Sequence, residues 1–132
     1  VSTVTTLTRQ VVVRAIHHLE NASLSPDENR KLYGVCYGRH GHHYKVQVTV
    51  TGTIDPKTGL VMSRDELDAI LKREIVDPFD GVDLNQVLPN TACEALAEAF
   101  YHRLSPHFAI QALVRISIQE TKKNYFEYPP ET

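Results

Sequence analysis

The stretch Cys36-Tyr37-Gly38-Arg39-His40-Gly41-His42-His43-Tyr44-Lys45-Val46-Gln47-Val48-Thr49-Val50 decides how this chain is read. From His40 onward it alternates. His40, His42, Tyr44, Val46, Val48 and Val50 fall on one parity, and His43, Lys45, Gln47 and Thr49 on the other. A period of two marks a β-strand with one buried face. Read that way, His40 and His42 share the apolar face, about 6.6–7 Å apart along the backbone. Two imidazoles at that spacing can converge on one metal ion. A free cysteine lies just upstream, so the motif predicts a metal site beside a nucleophile or base.

A catalytic zinc takes three protein ligands and keeps a fourth position for water or substrate. A first strand expected over residues 7–17 puts Val11, Val13, Ala15 and His17 on one face and Val12, Arg14, Ile16 and His18 on the other. His17 ends the inward face and is the candidate third ligand. His18 and His43 face solvent. The rival arrangement is a closed structural site with Cys36 as fourth ligand. Cys36 lies in a polar, glycine-flanked segment near Arg39, where positive charge favours its thiolate, whereas Cys93 reads as packing. Glu120 ends the apolar face Val114, Ile116, Ile118. A carboxylate there needs a partner and can accept two N–H bonds from an amide-rich ring. Glu94 is explained by helix capping, and Asp80-Gly81 reads as a turn.

The remaining segments fix the fold class. Ser25-Pro26-Asp27-Glu28 signals a helix start within the polar stretch 21–34, and the second strand is expected over 40–54. Asp55 to Gly59 form a turn, and Leu60-Val61-Met62 are expected to extend the sheet. Ser63 and Glu66 form a capping box, followed by Leu67, Ile70, Leu71 and Ile75 at helical spacing. Asp77-Pro78 is expected to stop that helix. Thr91 and Glu94 are read as a second capping box, with Leu96, Ala97, Phe100 and Leu104 as the apolar stripe and Ser105-Pro106 as the end. A strand over 110–120 is expected to turn Ala112, Val114, Ile116 and Ile118 inward and Leu113, Arg115, Ser117 and Gln119 outward. A short strand over 125–128 follows. The order β-β-α-α-β-β argues for an antiparallel sheet with two helices on one face, an α+β domain. Its two open edges invite association between copies.

Bulk properties narrow the function class. The 132 residues suit one domain, and 42% apolar residues suit a globular protein. The net charge of −2 with interspersed charges gives no reason to expect nucleic acid or an anionic membrane as partner. No apolar stretch approaches a membrane span, and the first residues do not read as a secretory leader. Two cysteines make no disulfide framework, so a reducing cytoplasm is expected. Five of the seven histidines fall within residues 17–43, and this clustering again points to a metal.

Further segments carry a resemblance. Ile16-His17-His18-Leu19, Leu24-Ser25-Pro26-Asp27-Glu28-Asn29, Leu32-Tyr33-Gly34-Val35-Cys36, His40-Gly41-His42-His43-Tyr44-Lys45-Val46, Thr53-Ile54-Asp55 with Gly59-Leu60-Val61-Met62, Phe79-Asp80 with Leu84-Asn85, and Gln119-Glu120-Thr121 together resemble the 6-pyruvoyltetrahydropterin synthase / 6-carboxytetrahydropterin synthase family over nearly the whole length, residues 1–132. The resemblance implies the T-fold, a subunit that forms barrel-shaped trimers paired into hexamers. It implies zinc on His17, His40 and His42. It also implies a pterin pocket at a subunit interface, gripped by Glu120 with Glu94 assisting. Cys36 is then the catalytic thiol and Asp80 part of the relay that tunes it. The implied substrate is 7,8-dihydroneopterin triphosphate. Triphosphate is eliminated in the pyruvoyl reaction, and acetaldehyde is also lost in the carboxy reaction.

Three departures go with it. The family's relay reads Asp-His, and here Gly81 follows Asp80. The three residues between Cys36 and His40 match the shorter loop of the carboxy enzymes, whereas residues 24–36 look like the pyruvoyl enzymes. Thr91-Ala92-Cys93-Glu94 stands where the family usually has a threonine closer to the glutamate. The resemblance therefore implies a pterin lyase of the pyruvoyl type. It leaves open the carboxy reaction and a zinc- and pterin-binding paralogue without the family reaction.

Overall fold

The computed structural model describes residues 3–130. Val1 and Ser2, which head the stretch read above for a leader, lie outside the described residues. In chain order the elements are β1 (Val4–His17), α1 (Pro26–Tyr33), β2 (His40–Thr53), α2 (Arg64–Leu71), α3 (Asp77–Phe79), β3 (Val82–Asp83), α4 (Cys93–Leu104), β4 (Leu113–Thr121) and β5 (Asn124–Tyr128). The sheet runs β3-β1-β2-β4-β5.

β1 and β2 form the spine, antiparallel in register from Val4↔Thr53 to His17↔His40. Their parity is the one the alternation dictates. Val13, Ala15, His17, Tyr44, Val46, Val48 and Val50 are buried, while Arg14, His43, Lys45 and Gln47 are exposed. Leu67, Ile70 and Leu71 of α2 and Leu96, Phe100 and Leu104 of α4 close over that face in one core. Each such aliphatic or aromatic side chain contributes about 1.5–3 kcal/mol by leaving water. Arg9 docks α2 from the middle of β1 through a two-pronged pair with Asp68, at 3.0 and 2.6 Å. The outer face is polar, with the hydroxyls of Thr8 and Thr49 2.8 Å apart. α1 stands outside the core, and Ser25 and Glu28 cap it reciprocally at 3.1 Å each. Among the described residues no helix is long and apolar enough to cross a membrane.

Several expectations need correction. The sheet has five strands rather than four and is not purely antiparallel, because β3 runs parallel to β1 beside Ala15 and Ile16. Gly81 makes this possible. At φ +77° it turns the chain, and its N–H donates to the Arg14 carbonyl at 2.6 Å. Leu60 to Met62 form no strand. They close a loop in which Asp55 N–H donates to the Leu60 carbonyl at 2.9 Å.

The chain after α2 does not stop at Asp77-Pro78. It widens into a π-type turn, Lys72–Val76, and continues through α3. Pro78 has no N–H for the Glu74 carbonyl, and Arg103 Nε supplies the donor instead, at 2.7 Å.

β4 begins at Leu113, with a bulge opposite Thr49 and Val50. The extra residue flips the parity, so Leu113 is buried and Val114 only partly so. Finally, Thr91 and Glu94 make no capping box. The N-cap of α4 is Ala92, without a side-chain cap, and the buried Thr91 hydroxyl donates to the His18 carbonyl at 3.2 Å.

Candidate metal centre

The β1–β2 register puts His17 opposite His40 at the end of the ladder, with His42 two residues along the same face. The three rings pack with centroids 4.5, 5.1 and 4.9 Å apart. One nitrogen from each lies within 4.8 Å of the other two. Imidazole nitrogens grouped this closely can serve one ion as ligands.

The ring environments fix two tautomers. His17 Nδ1 lies 2.8 Å from the Thr91 carbonyl, and His40 Nδ1 2.7 Å from the Gly38 carbonyl. A carbonyl only accepts, so each Nδ1 carries the proton and each Nε2 is a bare lone pair, as metal-bound histidines are usually held. The His17 Nε2 is buried and has no hydrogen-bond partner. Burial lowers the pKa of His17, with smaller contributions from His40 and His42, against the Thr91 carbonyl, which raises it. Burial and then His40 lower that of His42. The lowered values of His17 and His42 favour the uncharged imidazole that a cation requires. An orphaned lone pair among three converging imidazoles fits a transition-metal ion.

Carboxylates stand beside the imidazoles. Glu120 Oε2 is 4.0 Å from His42 Nε2. Burial raises the Glu120 pKa, opposed by His17 and His40 and assisted by Glu94. Glu94, freed of any capping duty, is exposed on the first turn of α4. Cys93 beneath it is buried, and its thiol is pushed well above the ordinary range by burial, Glu120 and Glu94. The Tyr44 hydroxyl, on a ring 5.3 Å from that of His42, is buried without a partner. The alternation assigned Tyr44 to the core and gave no sign of its unpartnered hydroxyl. The Gly38 and Thr91 carbonyls left no sequence signal either, since any residue supplies one.

Cys36 and Asp80 are not members of the converging group. Cys36 is half-buried in the short turn Gly34–Tyr37, where its carbonyl accepts from Leu19 N–H at 2.8 Å. Its sulfur is not in the converging group, which contains imidazoles alone. The Asp80 carboxylate accepts from the Arg14 backbone N–H at 2.8 Å and from its guanidinium at 3.1 Å. Those bonds hold its pKa down, and His43 assists. Arg14, His43, Gly81 and Asp83 line a cleft of about 490 Å³, on the face of β1 opposite His17.

The family profile described as 6-pyruvoyl tetrahydropterin synthase matches residues 6–131. The chain belongs to the 6-pyruvoyl tetrahydropterin synthase family. It is 37% identical over 130 residues to the 6-pyruvoyl tetrahydrobiopterin synthase of Poecilia reticulata, covering 92% of this chain and 88% of that protein. It is 34% identical over 132 residues to the human protein of the same name, covering 95% and 91%. The structure of the Caenorhabditis elegans 6-pyruvoyl tetrahydropterin synthase superposes with a TM-score of 0.88 at 26% identity, covering 98% and 97% of the two chains. The chain is thus a member of an enzyme family of tetrahydropterin synthases with the T-fold, and it presents three histidines suited to a metal.

Proposed function

We propose that this chain is a zinc-dependent lyase that acts on 7,8-dihydroneopterin triphosphate and eliminates triphosphate, in the manner of its 6-pyruvoyl relatives. The observation that carries the reading is the trio of converging imidazoles, two of them turned outward at Nδ1 by carbonyls and bare at Nε2. Neutral nitrogen donors suit zinc, and His17, His40 and His42 hold it. Bound there, zinc supplies Lewis-acid polarisation of the side-chain hydroxyls and so acidifies the neighbouring C–H bonds.

The protein's own groups complete the site. Glu120, assisted by Glu94, accepts ring N–H donors, which offset the burial of its carboxylate. The Cys36 thiolate takes a proton from a side-chain carbon as triphosphate leaves the adjacent one, breaking the C–O bond. The imidazole that Gly81 does not supply comes from His43, which lies opposite Arg14 in the β1–β2 register and acts on Asp80. The chain acts as one domain, in the cytoplasm, as a trimer or hexamer built on its open strand edges. A second reading, favoured by Gly81, is a paralogue that binds zinc and a pterin without the family reaction.

The test is incubation of the metal-quantified protein with 7,8-dihydroneopterin triphosphate and mass spectrometry of the products, with Cys36→Ala as control. A Cys36-dependent 6-pyruvoyl product supports the first reading. A 6-carboxy product with acetaldehyde assigns the related reaction. Unchanged substrate with stoichiometric zinc assigns the paralogue.

A further inference from the structure

β1 leaves the sheet at His17, and β3 ends at Asp83 as the chain turns into Leu84–Gln86. The next rung of that ladder is made by a side chain. Asn85 Oδ1 accepts from the His18 N–H at 2.9 Å, and Asn85 Nδ2 donates to the His18 carbonyl at 3.1 Å. A carboxamide has the shape of a peptide group, so Asn85 takes the place of a further residue of β3. The Thr91 hydroxyl donates to the same His18 carbonyl at 3.2 Å, and the Thr91 carbonyl receives the His17 Nδ1–H at 2.8 Å. Asp83 ties this arrangement to the second strand. One of its oxygens accepts from Asn85 N–H at 3.0 Å, and the other from Arg39, the neighbour of His40, at 2.9 Å.

We infer that Asn85 and Thr91 are positioning residues for the metal centre, a two-point clamp on His18 that sets the His17 imidazole against His40 and His42. The clamp fixes the backbone next to the ligand, the tautomer of its ring, and the spacing between the two strand ends. Neither residue belongs to the converging group; each acts through His17 or His18. The inference rests on the metal reading above and adds the groups that make the three imidazoles a prepared site. Such outer partners carry about 10–100-fold in metal affinity.

The experiment measures zinc affinity of the full chain by chelator competition, and the visible absorption of the cobalt-loaded protein, for Asn85→Ala, Asn85→Asp, Thr91→Val and Thr91→Ser. Urea unfolding of each metal-free protein runs alongside. Asn85→Ala and Thr91→Val are expected to weaken zinc about 10–100-fold and to shift the cobalt spectrum. Thr91→Ser keeps the hydroxyl and is expected within about threefold of the natural sequence, well below that range. Asn85→Asp keeps one of the two bonds and falls between. Metal-free stability lost with zinc affinity and cobalt spectrum unchanged overturns the inference, because a merely structural clamp gives that result. Should Asn85→Ala fail to fold, the Thr91→Val and Thr91→Ser pair decides alone. A natural protein that binds no zinc or cobalt refutes the metal reading and this inference together, whereas tight binding by every variant refutes the inference only.

Discussion

Replacing Arg103 by Met tests how the chain accommodates Pro78. Arg103 Nε donates to the Glu74 carbonyl at 2.7 Å, the acceptor that an N–H at position 78 serves in an ordinary α-helix. Its guanidinium also lies 5.5 Å from the centre of the Phe79 ring. Methionine keeps the apolar stem and loses the donor and the charge. A hydrogen bond from a charged group contributes about 1.5–3 kcal/mol. Because Arg103 is 44% exposed, the lower end applies. The ring contact adds about 0.5 kcal/mol, and the ion pair with the Glu74 carboxylate, 3.3 Å away, adds little. The expected loss is about 2 kcal/mol, which for a chain of this size lowers Tm by about 6–8 °C. Urea and thermal unfolding at fixed protein concentration measure it. The decisive comparison is with Pro78→Ala, which restores an N–H within reach of residue 74. In that background Arg103→Met is expected to cost about 1 kcal/mol less. An equal cost in both backgrounds refutes the idea that Arg103 replaces the donor missing at Pro78.

Three further outcomes are expected. Asp80 is held below the ordinary value of 3.8 by its bonds to Arg14, so its stabilisation is fully present above that pH and lost as pH falls through the lower folded value. Asp80→Asn is therefore less stable than the natural sequence at pH 7 and equal to it in strong acid, and parallel unfolding curves at all pH values contradict this. Gly81→Ala meets open space but keeps φ at +77°. It is expected to lose about 1 kcal/mol in urea unfolding, with Gly81→Asn losing less; no loss for alanine shows that the turn relaxes. In thiol titration of the native protein Cys36 reacts and the buried Cys93 does not, with both reacting in denaturant; native reactivity at Cys93, located by peptide mapping, argues against its burial.

How much of this was legible depended on where the information resides. The alternation after His40 gave β2, its parity and two of the three converging imidazoles, because a strand with one apolar face has a single way to lie on a core. His17 followed from the same parity on β1. Ser25 with Glu28 gave the start of α1, since that cap is made by side chains close in sequence. The features that escaped are made by backbone or by distant partners. Two-residue β3 has too few side chains to show a period, and it exists because Gly81 N–H reaches Arg14. The bulge in β4 inverted the expected parity of Leu113 and Val114 without changing composition. Thr91 and Glu94 had the spacing of a capping box, but Thr91 was claimed by the end of β1. Pro78 looked like a stop because nothing local announces that Arg103, in another helix, takes the freed carbonyl.

The lone pair at His17 Nε2 also bears on the life of the protein in a cell. A ligand that binds only the folded chain shifts the unfolding equilibrium in proportion to its free concentration. A metal quenching that buried lone pair does so at the point where the two longest strands meet their connecting segment. Copies made under metal scarcity would then open more often at that end and reach proteases sooner. Scarcity would show first as a lower steady-state level of the protein, with each surviving loaded copy working at full rate.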